Sequence, residues 1–216
     1  MVTQRKKSIF ELKKKNLLII FTRNPELGKC KTRLAATIGD QAALEIYTFL
    51  LEHTVKITSK LNVTKEVHYS VEVRENDVWD SEVYSKKQQT GEDLGKRMEY
   101  ASAEGFANGY QNIIIIGSDM YDLSQNDLEN AFHQLTSHDY VLGPAEDGGY
   151  YLFGMKSLNS QVFKNKIWGK ETVLKDTLED LKTENVKLLE ERNDVDYYED
   201  IKDIDVFQKF FKLTKQ

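Results

Sequence analysis

Arg23-Asn24-Pro25-Glu26-Leu27-Gly28-Lys29-Cys30-Lys31-Thr32-Arg33 crowds four cations, a proline and a glycine into eleven residues. Directly before it stands the apolar run Leu17-Leu18-Ile19-Ile20-Phe21, which reads as a buried strand. A basic loop launched from such a strand suits a phosphate-rich ligand. Its cations offset the charge, and glycine lets backbone N–H groups approach the oxygens. Arg23, Gly28, Lys29, Lys31 and Arg33 are therefore candidate phosphate contacts. Gly28-Lys29 lacks the upstream glycine of a P-loop, and Cys30 stands where Ser or Thr should follow the lysine, which disfavours that motif.

Three acidic segments could complete a site. Gly117-Ser118-Asp119 lies just past an apolar run, and ligands of open α/β sheets bind outside the carboxyl ends of the strands. Asp119 there is either a turn former or an oxygen ligand for Mg²⁺. Gly143-Pro144-Ala145-Glu146-Asp147-Gly148-Gly149-Tyr150-Tyr151 contains an ordinary hairpin signal, Asp147-Gly148. It also holds more acid than a turn needs, and paired glycines permit a sugar or base against the backbone. Asp194-Val195-Asp196 with Glu199-Asp200 reads either as helix capping or as a second metal carboxylate.

Other chemistries are poorly served. His53, His68, His133 and His138 have no metal-ligand spacing, which speaks against zinc. No Gly-x-Ser-x-Gly elbow is present. Cys30 sits among cations that would lower a thiol pKa, but nothing else points to a thiol nucleophile. Trp79 and Trp168 read as packing residues.

The elements that must position these residues alternate. After Leu17–Thr22, Asp40 caps a helix with Ala43, Ile46, Leu50 and Ile57 on one face. Glu66–Val73 alternates as a half-exposed strand. Thr90-Gly91-Glu92-Asp93 resembles a capping box that opens a helix with Leu94, Met98, Ala101 and Gly105 on one face. Asn112–Gly117, with four consecutive isoleucines, is a strand buried on both faces. Ser124 and Asp127 open a helix burying Leu128, Ala131 and Leu135. Strands at Tyr140–Gly143 and Tyr150–Gly154 follow, then a helix through Val173, Leu174, Thr177, Leu178 and Leu181. A strand near Val186–Leu189 and a helix using Ile201, Ile204, Phe207 and Phe211 close the chain. This alternation predicts one α/β domain with a mostly parallel sheet flanked by helices.

At 216 residues, 40% hydrophobic and 30% charged, the chain can bury one sizeable core. No apolar run approaches a membrane span, no signal peptide is evident, and the single cysteine suits a reducing, cytoplasmic setting. Residues 1–16 carry six cations against Glu11 and read as a basic lead-in to a domain at 17–216. The whole chain is −5, so the body is acidic, which argues against nucleic-acid binding.

Taken in order, the motifs resemble the bacterial DUF2064 group, glycosyltransferase-like proteins within the GT-A or nucleotide-diphospho-sugar transferase superfamily. They are Phe21-Thr22-Arg23-Asn24-Pro25 with Gly28 and Lys31-Thr32-Arg33-Leu34, Gly91-Glu92-Asp93-Leu94-Gly95-Lys96-Arg97-Met98, Gly117-Ser118-Asp119, Gly143 to Leu152, and Asp194-Val195-Asp196 with Glu199-Asp200. The resemblance runs from about Leu17 to Phe211 and implies a Rossmann-like GT-A fold with a divalent metal, Mg²⁺ or Mn²⁺. Asp119 and Asp196 would hold the metal, and Gly91 and Arg97 would lie near the nucleotide. The implied reaction is transfer of a glycosyl or nucleotidyl group from a nucleotide-sugar or nucleotide to a small-molecule acceptor. Lys31 or Arg33 would stabilise the leaving phosphates, Asp147 or Glu146 would position or deprotonate the acceptor, and Gly148 and Gly149 would lie against the ligand. A non-catalytic nucleotide-binding module is the alternative. Tyr121 stands where the group usually has proline, and could narrow the crevice. Tyr197 and Tyr198 replace its usual Thr-Pro.

Overall fold

Ile113–Ile116 are the centre of the molecule because a strand paired on both sides and covered on both faces must be apolar throughout. The computed structural model describes residues 15–211, so most of the expected basic lead-in lies outside the described residues. Strand β1 (Asn16–Thr22) pairs in parallel with β4 (Asn112–Gly117) on one side and β2 (Thr64–Tyr69) on the other. Strand β3 (Ser85–Gln88) extends the β2 edge. Beyond β4 come β6 (Tyr150–Met155), β5 (Tyr140–Pro144) and β7 (Val186–Leu188), giving the order β3-β2-β1-β4-β6-β5-β7. Only β6 runs against the others, because the short link from β5 makes a hairpin and leaves no room for a crossover.

Alternation along the strands sorts the core into two faces. Leu18, Ile20, Ile114 and Ile116 meet α2 (Asp40–Thr58) and α4 (Gln125–Gln134) through Tyr47, Leu51, Leu128 and Ala131. Leu17, Ile19, Ile113 and Ile115 meet α3 (Leu94–Ala107) through Met98 and Ala101, with α5 (Val173–Asp180) nearby. A third cluster joins α1 (Thr32–Ile38) and α2 to Val195, Ile201, Phe207 and Phe210, with α6 (Gln208–Phe211) at the end. Among the described residues no helix is long and apolar enough to cross a membrane.

Several expectations need correction. β2 is shorter than Glu66–Val73 and is buried on both faces. Its polar Glu66 and His68 are tolerated inside because His68 Nε2 lies 3.0 Å from Glu66 Oε2 and Lys87 Nζ lies 2.9 Å from Glu66 Oε1. β3 had no apolar signal: Ser85-Lys86-Lys87-Gln88 is a polar edge strand. Helix α1 begins inside the basic segment and stops at Gly39, whose φ of 86° ends it. Asp93 alone caps α3, accepting from Lys96 N at 2.8 Å, and Leu94, at the start of its apolar face, is 42% exposed. The closing helix is broken into turns at Tyr198–Asp200 and Asp205–Phe207 before α6. The Asp200 carboxylate accepts from Asp196 N and Tyr197 N, a local competitor to helix continuation.

Candidate functional site

The strand order reverses at β1, with β2 and β3 on one side and β4 on the other, so a crevice opens at the carboxyl ends of the parallel strands β1 and β4. The segments after these two strands enter it. A cavity of about 710 Å³ there is lined by Arg23, Lys31, Arg33, Arg97, Asp119 and Asp196 among others. A buried polar network sets the approach of the two segments. Tyr47 Oη donates to Arg23 O at 2.9 Å and accepts from Arg23 N at 3.0 Å. It also lies 3.3 Å from Ser118 Oγ, which donates to Thr22 Oγ1 at 3.0 Å. Asn24, buried, donates to Glu72 O and accepts from Val71 N, tying the β1 loop to the chain beyond β2.

The cations divide into two kinds. Lys31 Nζ lies 2.7 Å from Asp119 Oδ2 and 3.0 Å from Asp196 Oδ1, and its side chain is only 5% exposed. Burial alone would lower the pKa of this ammonium, but Asp119 and then Asp196 outweigh it and hold it above its ordinary range. Arg33, on α1, lies 2.9 Å from Asp196 Oδ2, with its guanidinium over the Tyr197 ring. Lys29 is turned away to Glu26 at 2.6 Å, and neither it nor Gly28 lines the cavity. Arg23 and Arg97 line it and make no ion pair among the described residues. Arg97 donates from Nε to Gly91 O at 3.0 Å. Gly91 itself is required by shape: its φ is 139°, and a Cβ would lie 2.8 Å from Arg97 N.

Asp119 and Asp196 converge on one point, the position of Lys31 Nζ. Two hard oxygen donors so placed fit Mg²⁺ or Mn²⁺, which commonly takes one or two carboxylates and completes its shell with substrate phosphates and water. Among the described residues no three acidic, His or Cys side chains form a self-sufficient ion site, so the protein would supply only part of the shell. Asp194 stands beside the pair. Burial, then the charges of Asp196, Asp119 and Asp147, push its carboxyl up to about 6 against the pull of Lys31. Cys30 is buried at the cavity wall, and burial raises its thiol pKa, reversing the activation that its basic neighbours suggested.

A second chamber of about 250 Å³ adjoins the first and shares Phe21, Leu94 and Asp119 with it. Its walls include Met98, Ile115, Tyr150 and Trp168, with Asp147 and Asp194 at the polar side. Trp168 is thus a cavity wall as well as a packing residue. Asp147 Oδ1 accepts from Gly149 N at 2.8 Å, fixing the turn, and both residues line the chamber. Glu146 and Gly148 do not. Gly148, at φ 83°, packs on Glu171, where a Cβ would meet the backbone oxygen at 2.3 Å. Tyr121 also leaves the crevice, packing against Phe49, His53 and Phe207.

This is the Rossmann-like α/β fold of nucleotide-diphospho-sugar transferases and cytidylyltransferases. A candidate nucleotide-diphospho-sugar transferase from Desulfovibrio desulfuricans G20 superposes with a TM-score of 0.81 at 27% identity, covering 92% of this chain and 93% of that one. A cytidylyltransferase from Leptospira borgpetersenii shares the fold at 14% identity, with a TM-score of 0.53 over 86% of this chain and 83% of that one. So does a 4-diphosphocytidyl-2C-methyl-D-erythritol synthase from Anaerococcus prevotii at 9% identity, with a TM-score of 0.56 over 91% and 99%. Residues 53–170 match the family DUF2064, described as an uncharacterized protein conserved in bacteria, and the chain belongs to that family. Among curated proteins none matches it.

Proposed function

We propose that this protein is a metal-dependent transferase that moves a glycosyl group from a nucleotide-sugar to a small-molecule acceptor. The observation that carries the reading is the junction at Asp119, where a cation-lined cavity meets an apolar chamber. Arg23 and Arg97 bind the donor's phosphates in the first; the acceptor enters the second. Asp119 and Asp196 hold Mg²⁺ or Mn²⁺, which when bound offsets charge on the departing diphosphate. Lys31 and Arg33 lie within reach of the same phosphates and add positive charge as the bond to the diphosphate breaks. Asp147 takes the proton of the acceptor hydroxyl as its oxygen joins the anomeric carbon, and a nucleoside diphosphate leaves. The 27% identity to the Desulfovibrio protein supports a nucleotide-sugar donor. A cytoplasmic setting, where such donors are made, belongs to the same proposal.

Nucleotidyl transfer is the second reading, favoured by the number of cations at one crevice. There an acceptor oxygen attacks the α-phosphate of an NTP and pyrophosphate leaves. One experiment separates the readings: incubate the protein with Mg²⁺ or Mn²⁺, pooled nucleotide-sugars, pooled NTPs and a metabolite extract, and identify products by mass spectrometry. Free nucleoside diphosphate with a glycosylated acceptor supports glycosyl transfer. Pyrophosphate with an NMP-linked compound replaces it by the second reading. Retained nucleotide without turnover overturns both in favour of a binding module.

A further inference from the structure

Lys31 differs from every other cation of the basic segment. It is one of two non-glycine residues with positive φ among the described residues, at 48°, and it stands at the start of α1 without capping that helix through its side chain. A left-handed backbone is a costly choice for lysine. Here it accompanies a side chain that is 5% exposed and spans 88 and 165 residues of sequence to reach Asp119 and Asp196. Lys29, two residues earlier, is 68% exposed and pairs locally with Glu26. The Lys31 ammonium sits at the point where the two carboxylates converge, which is where the fold would bring a divalent cation. One point cannot hold both, because a divalent cation and an ammonium at that distance repel strongly.

We propose that Lys31 is an internal counter-ion that keeps divalent cations off Asp119 and Asp196 until donor phosphates draw its ammonium away. Metal and nucleotide then bind as one chelate, and free metal binds poorly. The exchange is balanced in charge: the carboxylates trade an ammonium for the cation, and the ammonium trades carboxylates for phosphate. This inference rests on the metal reading given above and adds an order of binding to it. Arg33 is 54% exposed and, among the described residues, pairs with Asp196 but not with Asp119, so it takes no equal part.

The test is Mn²⁺ binding followed by electron paramagnetic resonance, without nucleotide, on the wild type, Lys31→Met, Lys31→Gln and Lys31→Arg. Thermal unfolding checks that each is folded. Asp119 and Asp196 are 40% and 30% exposed, so water can screen them once the lysine is gone, and at least one neutral variant should fold. A neutral residue at 31 should tighten Mn²⁺ by roughly tenfold or more, while arginine leaves it near the wild-type value. Equal affinity in the wild type and a neutral variant, lost on Asp119→Ala, overturns the counter-ion and leaves the metal site standing. No Mn²⁺ bound by any variant, even with pyrophosphate added, overturns the metal site itself and the counter-ion with it.

Discussion

The two compartments at the carboxyl ends of β1 and β4 share three residues and divide the chemistry. The larger is lined by Arg23, Arg97, Lys31 and Arg33; the smaller by Met98, Ile115, Tyr150 and Trp168 with a few acids. One side offers charge and the other offers shape. Charge recognises phosphates whatever they carry, whereas an apolar chamber selects by fit, so donor class and acceptor identity should be set by different residues. Even within the charged side, the cations are unequal: Lys31 and Arg33 are spent on Asp119 and Asp196, whereas Arg23 and Arg97 make no ion pair among the described residues.

The strongest way to break this comparison is at Asp119, which belongs to both compartments. Asp119→Ala should lower turnover by about 10³-fold, the several kcal/mol that a positioned metal contributes to a leaving phosphate. The fold should persist, since Asp119 is 40% exposed, and far-UV circular dichroism would report that. Turnover at the wild-type rate would remove Asp119 from the site.

A paired substitution sharpens it. Arg97→Ala should weaken donor nucleotide by roughly tenfold in a calorimetric titration and leave the acceptor KM unchanged. Trp168→Leu, which enlarges the other chamber, should raise the acceptor KM by several-fold to about tenfold and leave nucleotide affinity alone. Either variant moving both constants together would mean that the two compartments act as one.

Much of this layout was legible in the chain. Leu17–Phe21 and Ile113–Ile116 announce central strands because a doubly covered parallel strand has no polar face to offer. Ser124 and Asp127 open a helix as expected, and there they form a capping box. The pairing was not legible. Nothing local tells Lys31 to reach Asp119 rather than solvent; that follows from the strand order, which sequence periodicity does not contain. Tyr47, Ser118 and Thr22 were missed for the same reason, since a hydroxyl becomes a positioning group only when topology brings another to it. β3 was missed because a polar edge strand carries no apolar signal, and the inward Glu66 and His68 were misread because their contact with each other and with Lys87 lets polar residues pass as interior ones.

Those inward groups support the wall between the compartments. Phe21 lines both, and the His68 ring stacks on it with centroids 5.6 Å apart. Glu66 fixes His68 from behind. Burial alone would raise the pKa of the Glu66 carboxyl, but the hydrogen bonds from His68 and Lys87 and the Lys87 charge hold it below its ordinary range. A depressed carboxyl pKa contributes stability that is present above the unfolded value of 4.5 and is lost as pH falls through the folded value. Glu66→Gln should therefore cost about 1 kcal/mol at pH 7, because the amide keeps the shape and part of the hydrogen bonding but not the charge. The gap to wild type should close below pH 4.5, as the native carboxyl is protonated too. Urea unfolding at several pH values gives the comparison. A gap that stays constant across that range would show that Glu66 acts through shape alone, and that the wall at Phe21 does not depend on its charge.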